Sequence, residues 1–183
     1  MDASEAIIAV VKVAGDNILG RTAIQKIVYF LSVFEIVDVK YRPHYYGPYS
    51  ADVASSTQML ASIDFLNETV ETPRTTGYTV PENWKKYHYS VSSDGEQFVE
   101  ELKRSNAADF NEISRIVEIC RNSVNFSPEI LSWAAKVNYI LSKKKEPMTY
   151  EAIISTAGSF GWDLSSEQIE MALELLQNLG LCK

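Results

Sequence analysis

The sequence feature that most constrains the fold is a strongly apolar helix followed closely by a proline corner. Residues 20–31 read GRTAIQKIVYFL, in which apolar side chains recur at i, i+3, i+4 and i+7 and spread around most of the helix. Residues 44–50 read HYYGPYS. Proline lacks an amide donor and disfavours helical angles in the residue before it, so the chain must turn there. A central buried helix leading into an aromatic turn is predicted.

Helix-start signals place three helices in the first third of the chain. Apolar spacing predicts a helix over about 3–14. Thr22, with Gln25 three residues later, predicts a capping box for the central helix. Ser50 is a good N-cap for a third helix over about 51–63, because its hydroxyl can accept from a free backbone amide.

Two short segments after the third helix predict a β-hairpin. Residues 65–72 form one expected strand, and residues 87–92 form the other, with Tyr87, Tyr89 and Val91 alternating onto one face. Turn-forming prolines and a glycine lie between them, which predicts a long tip. Three helices followed by such a hairpin are typical of a winged-helix domain.

The rest of the sequence predicts helices only. Ser93, Ser127, Thr149 and Ser165 are the expected helix caps, and Gly180 ends the last helix. We therefore predict a mainly α (α+β) fold, with a winged-helix-like domain over 1–105 and a helical, partly helix-turn-helix-like extension over 106–183. The extension has apolar stripes that include Trp133 and Trp162, which favours a homodimer.

Composition narrows the classes of function. The net charge is −7, and no stretch approaches the roughly 20 apolar residues of a membrane span. The start of the chain carries acid where a secretory signal carries base, so we expect a cytoplasmic protein without a membrane partner. The two cysteines, Cys120 and Cys182, lack metal or redox spacing, and Cys120 is an expected core residue.

Double-stranded DNA is one expected partner. A chain of net negative charge needs a local basic patch to bind a polyanion, because neutralised phosphates supply much of the affinity. The third helix offers hydrogen-bonding side chains from Ser55 to Gln58 but no Lys or Arg. The candidate DNA-binding cations lie outside this helix and are Lys40, Arg42, Arg74, Lys85 and Lys86. The alternative is that they are ordinary surface charges.

A protein is the other expected partner, and the aromatic turn is its candidate site. Five rings from Tyr41 to Tyr49 surround the Gly47–Pro48 corner, enough for a binding surface. The alternative is that these rings pack the turn against the central helix, with Tyr46 and Tyr49 as the expected core members. The candidate partner-binding residues are His44, Tyr45 and Tyr49.

Enzyme chemistry has little support in the sequence. Neither His44 nor His88 has a nucleophile or metal ligand at a recognisable spacing. The sequence also has no phosphate-binding glycine loop, zinc motif or nucleophile elbow. We therefore expect no catalytic residue, no metal and no cofactor.

The two motifs carry a family resemblance. The pattern GRTxxQKxVYxL over residues 20–31, followed by YYGPYS over residues 45–50, resembles the amino-terminal motif of the uncharacterised YwgA-type proteins. It is more distantly similar to the Panacea domain of SocA-like antitoxins, with Ile24 and Ile27 where that pattern has leucines. The resemblance implies a winged-helix-like, mainly helical fold without established catalytic activity. We expect a non-enzymatic, DNA-binding transcriptional regulator or, alternatively, an antitoxin-like protein-interaction module.

Overall fold

The computed structural model describes residues 1–15, 20–71, 86–144 and 147–182. These residues form a mainly helical fold with one small antiparallel hairpin, as the sequence predicts. In chain order the elements are α1 (Ala3–Ala14), α2 (Arg21–Val33), α3 (Ala51–Ser62), β1 (Leu66–Glu71), β2 (Lys86–Val91), α4 (Ser93–Ser105), α5 (Ala107–Val124), α6 (Pro128–Lys144), α7 (Tyr150–Ser159) and α8 (Ser166–Leu179).

Helix α2 is the centre of the fold, which confirms the prediction from its apolar pattern. Every residue from Ala23 to Leu31 is buried, and the helix packs against α1, α3, α5 and α6. Fully burying a large aliphatic or aromatic side chain stabilises a fold by about 1.5–3 kcal/mol. Because α2 is covered on all sides, its two buried polar residues, Gln25 and Lys26, need partners inside the protein.

Most of the predicted helix caps are confirmed. The hydroxyls of Ser50, Ser127, Thr149 and Ser165 each accept from a backbone amide in the first turn of α3, α6, α7 and α8. Gly180 ends α8 in a left-handed conformation, with φ at +79°.

Two cap predictions are wrong. Helix α2 begins at Arg21 after Gly20, and no side chain caps it; Gln25 bonds elsewhere. Helix α4 is capped by Ser92, one residue before the predicted Ser93, and Ser92 accepts from the Gly95 amide. A Cβ on Gly95 would lie 2.2 Å from the Phe65 carbonyl oxygen, so glycine lets α4 pack directly against the chain entering β1.

The hairpin pairs β1 with β2 in antiparallel register, with Leu66 opposite Val91. Tyr89 is buried while Tyr87 and Val91 are partly buried, which confirms their alternation onto an inner face. The predicted long tip lies outside the described residues, so the wing stays a prediction.

The predicted first and second segments share one hydrophobic core. Helix α1 packs against α5, and α2 packs against α6. Trp162 is only 2% exposed and Trp133 packs against the core, so neither tryptophan needs a second copy of the chain to cover it. The boundary at residue 105 and the homodimer stay predictions. None of the described helices combines the length and apolar character needed to cross a bilayer.

Candidate functional site: the aromatic turn

The aromatic turn, residues 42–50, is a closed loop at the end of an extended segment. Arg42 and Tyr49 exchange two backbone hydrogen bonds of 3.0 and 2.9 Å. Inside them, the backbones of His44 and Gly47 exchange two more, of 3.2 and 2.9 Å. These four bonds satisfy the backbone of the loop locally and fix its shape.

Glycine is required at position 47 for two reasons. Its φ is +96°, a conformation that other residues rarely adopt. A Cβ at this position would also lie 3.0 Å from Cγ of Lys136 and 3.4 Å from the Ser132 carbonyl oxygen. The turn therefore packs its backbone directly onto helix α6.

The two buried polar residues of α2 hold the carboxyl-terminal side of the turn. The Gln25 amide makes two bonds with Ser50: its Nε2 donates to the Ser50 carbonyl at 2.8 Å, and its Oε1 accepts from the Ser50 amide at 3.1 Å. Lys26 Nζ donates to the Pro48 carbonyl at 2.7 Å. The QK pair thus connects the central helix to the Gly-Pro corner that follows two dozen residues later.

The amino-terminal side of the turn is held by the second half of the chain. Trp162 Nε1 donates to the His44 carbonyl at 2.7 Å. Upstream, the Tyr41 hydroxyl donates to the Gln25 carbonyl at 3.3 Å, and its ring packs edge-on against Tyr29 with centroids 5.1 Å apart. The turn is therefore fixed from both sides by groups that are themselves in or against the core.

The electrostatic environment of Lys26 is unusual. Burial, together with the nearby ammonium of Lys136, lowers the pKa of Lys26 to about 8. Burial also lowers the pKa of Lys136. A charged amine beneath the turn thus costs free energy that its bond to the Pro48 carbonyl only partly offsets.

The fixed backbone presents two aromatic rings to solvent. Tyr45 is 72% exposed and Tyr46 is 62% exposed, and their rings meet edge-on with centroids 4.9 Å apart. His44 is exposed, and its ring lies 5.2 Å from that of Tyr49, which is 38% exposed. The structure therefore brings His44 and Tyr49 together, whereas Tyr45 pairs with Tyr46.

The expectation that Tyr46 and Tyr49 belong to the core is wrong. The Gly47–Pro48 backbone and the Tyr41 ring take the inner space of the turn, and this leaves the later rings outside. Sequence reasoning also missed the supports Gln25, Lys26 and Trp162. The available signal was the presence of two polar residues on a helix that is apolar nearly all round.

The basic residues proposed for DNA are not all placed by the structure. Lys40 and Arg42 are exposed, Lys40 just before the turn and Arg42 as its first residue, and no described residue forms a salt bridge with either. Lys86 is exposed at the start of β2, opposite Glu71. Arg74 and Lys85 lie outside the described residues.

The exposed side of α3 is mainly polar and slightly acidic, with one exposed large apolar side chain, Met59. Its solvent-facing residues include Asp52, Ser55, Gln58 and Ser62, and the helix itself, described throughout, holds no cation. A helix of this kind has hydrogen-bonding groups for base edges and none for phosphates.

The histidines have separate surroundings. His44 belongs to the turn, whereas His88 lies on the hairpin with its Nε2 3.4 Å from a Glu71 carboxylate oxygen. Its Nδ1 is buried without a partner among the described residues. Within the same residues, no cluster of His, Cys, Asp or Glu has the geometry of a metal site.

Comparison with known proteins gives one informative similarity. No family model matches the sequence. The chain is similar to the uncharacterised protein YwgA of Bacillus subtilis (strain 168), with 32% identity over 92 residues, or 49% of this chain. The match covers 51% of YwgA, so the chain spans about half the length of this relative. This similarity supports the resemblance to YwgA-type proteins; the Panacea resemblance stays a prediction.

Proposed function

We propose that this protein is a non-enzymatic interaction module that binds a partner protein through its aromatic turn. The observation that carries the proposal is the exposure of Tyr45 and Tyr46 on a backbone fixed from both sides. Exposed tyrosines on a rigid loop provide a large contact area at little cost in conformational entropy.

The buried polar side chains that hold the turn strengthen this proposal, because burying them costs free energy. Burying the amine of Lys26 costs free energy unless something compensates for it, and its partner is the backbone of the turn. The buried side-chain amide of Gln25 likewise bonds the backbone of Ser50. These bonds hold the turn in one shape, so its exposed rings are presented to a partner in a fixed orientation.

Affinity capture with two double variants tests the proposal. We expect Tyr45→Ala/Tyr46→Ala to lose a specific protein that the wild type retains from lysate of the native host after nuclease treatment. The matched variant Ser55→Ala/Gln58→Ala on α3 should retain it. Equal capture by all three proteins, or loss only in the α3 variant, contradicts the assignment of the turn as the binding surface.

A winged-helix DNA-binding regulator is the second candidate function. The exposed Lys40 and Arg42, two residues apart where the turn begins, favour it. If both contact phosphates, Lys40→Ala/Arg42→Ala reduces the slope of log affinity against log salt by about 2. Fluorescence anisotropy with random duplex DNA measures that slope, and salt-insensitive or absent binding removes this candidate.

A further inference from the structure

A polar cavity lies behind the aromatic turn, between the first turn of α2, α3 and β2. Its volume is about 290 Å³, close to the lower end of the range for small-molecule sites. Its walls combine polar groups with aromatic and methyl surface, supplied by Arg21, Gln25, Tyr49, Ala54, Thr57, Gln58 and Tyr89.

Arg21 is the positioned charge at this cavity. Its guanidinium carbon lies 3.4 Å above the centre of the Tyr87 ring, and its Nε donates to the Tyr89 hydroxyl at 2.9 Å. One Nη2 hydrogen bond reaches a Glu68 carboxylate oxygen at 3.2 Å, and the Tyr89 hydroxyl donates to the same carboxylate. The stacking and these bonds hold the planar guanidinium in one orientation.

The hydrogen-bonding groups around the cavity that have no partner among the described residues are mainly donors. Arginine carries five N–H groups, of which the described residues occupy two in Arg21. Gln25 keeps one amide N–H after bonding Ser50, and the Gln58 side chain has no described partner. Thr57 and Tyr89 already donate their hydroxyl hydrogens, to Val53 and Glu68. Surplus donors beside a guanidinium suit an acceptor-rich anion.

The charge of Glu68 selects among anions. Its carboxylate lies beside Arg21 at the neighbouring surface groove, so a phosphate dianion meets more repulsion there than a monoanion does. The rings of Tyr49 and Tyr89 and the methyl of Ala54 suit an apolar body. We infer that this cavity is a binding site for a small monocarboxylate with an apolar or aromatic body, held through Arg21.

This inference does not rest on the proposed function, because its test needs no partner protein. The probes are sodium benzoate, its neutral isostere benzamide, and sodium phosphate at matched ionic strength. Two-dimensional ¹H–¹⁵N spectra follow the Arg21 Nε–H and the Gln58 side-chain amide. We expect benzoate to shift both signals saturably at millimolar concentration, and benzamide to bind at least about tenfold more weakly, the ratio for losing a charge-assisted hydrogen bond.

Three variants complete the test. Arg21→Gln should weaken benzoate binding at least about tenfold, by loss of the charge-assisted bond. Ala54→Leu should abolish it by filling the cavity while leaving Arg21 in place, so the inference stays testable if Arg21→Gln fails to fold. Ser55→Ala, outside the cavity on α3, should bind like the wild type. No saturable shift with benzoate, equal binding of benzamide, tighter binding of phosphate, or undiminished binding in Ala54→Leu overturns the inference.

Discussion

The aromatic turn and helix α3 are neighbouring exposed surfaces that the sequence offers as competing binding sites, and they are built differently. The turn is fixed by buried bonds from α2 and by Trp162, and it displays two tyrosine rings. Helix α3 is held by a serine cap and a buried apolar side. It displays small polar groups and the partly exposed Met59, and it carries no cation. The buried polar groups make the turn a rigid surface, and this rigidity is the reason for which we propose the turn, and not α3, as the binding surface.

The largest expected effect comes from removing the amide that joins α2 to the turn. Gln25→Ala leaves the buried Ser50 amide without a partner, while the Ser50 carbonyl keeps only its bond from the Ala54 amide. The unpaired amide and the lost packing of the buried side chain should together lower the free energy of unfolding by about 2–4 kcal/mol, measured by urea denaturation. The control Gln177→Ala, at an exposed position of α8, should change it by less than about 0.5 kcal/mol. Similar effects for both variants would show that the turn is not fixed in this way.

The buried amine of Lys26 gives a pH-dependent test of how the turn is fixed. Lys26 has a pKa of about 8 in the folded protein and about 10.5 when unfolded, so between these values the unfolded chain binds more protons. Stability contributed at this site should therefore rise with pH through that window, by up to about 3 kcal/mol. Urea denaturation of wild type and Lys26→Met at several pH values measures this contribution, because the titrations of groups that do not interact with Lys26 cancel in the difference. A difference that stays constant from pH 8 to 10.5 contradicts the burial of a charged amine under the turn.

Gly47 packs against α6 whereas Gly158 has open space around it, so we expect alanine to have opposite effects at these two glycines. Gly47→Ala places a methyl group at a positive φ and against Lys136, and should destabilise the protein by about 1–3 kcal/mol. Gly158→Ala lies within α7 with open space around its Cβ, and should stabilise by about 0.5–1 kcal/mol. Thermal unfolding distinguishes them, and the same sign for both variants would refute the packing described for the turn.

The smallest effect on stability is expected where the effect on binding is largest. Tyr45→Ala/Tyr46→Ala removes exposed rings and should change the free energy of unfolding by less than about 1 kcal/mol. Truncation of a hot-spot tyrosine to alanine typically weakens binding by at least about 2 kcal/mol. Chemical denaturation, run on the samples used for affinity capture, measures the first value. A destabilisation comparable to that of Gln25→Ala would assign these rings to folding instead.

The helical framework was largely predictable from sequence because its signals are local. Apolar spacing and serine caps placed α3 and α8 within a residue or two, and the buried character of α2 followed from its composition. The cap at Thr22 was mispredicted because the same Gln25 that suits a capping box is engaged by Ser50, a tertiary contact that spacing does not encode.

The candidate site was predictable only in part. The Gly-Pro corner predicted a turn, and the rings of His44 and Tyr49 lie together, whereas Tyr45 pairs with Tyr46. Which rings face solvent depends on α6 and Trp162, more than 80 residues away in sequence, and on the positive φ at Gly47. The Arg21–Tyr89 contact at the cavity joins residues 68 positions apart in the sequence, so no motif indicated it.

The central claim is that the aromatic turn, and not α3, contacts a partner protein. Its most direct test places the photo-crosslinker benzoylphenylalanine at position 45 or at position 55 and irradiates cells of the native host. The account predicts a discrete protein adduct from position 45 that Tyr46→Ala diminishes, and none from position 55. An adduct only from position 55, or crosslinking to DNA from either position without a protein adduct, would contradict it.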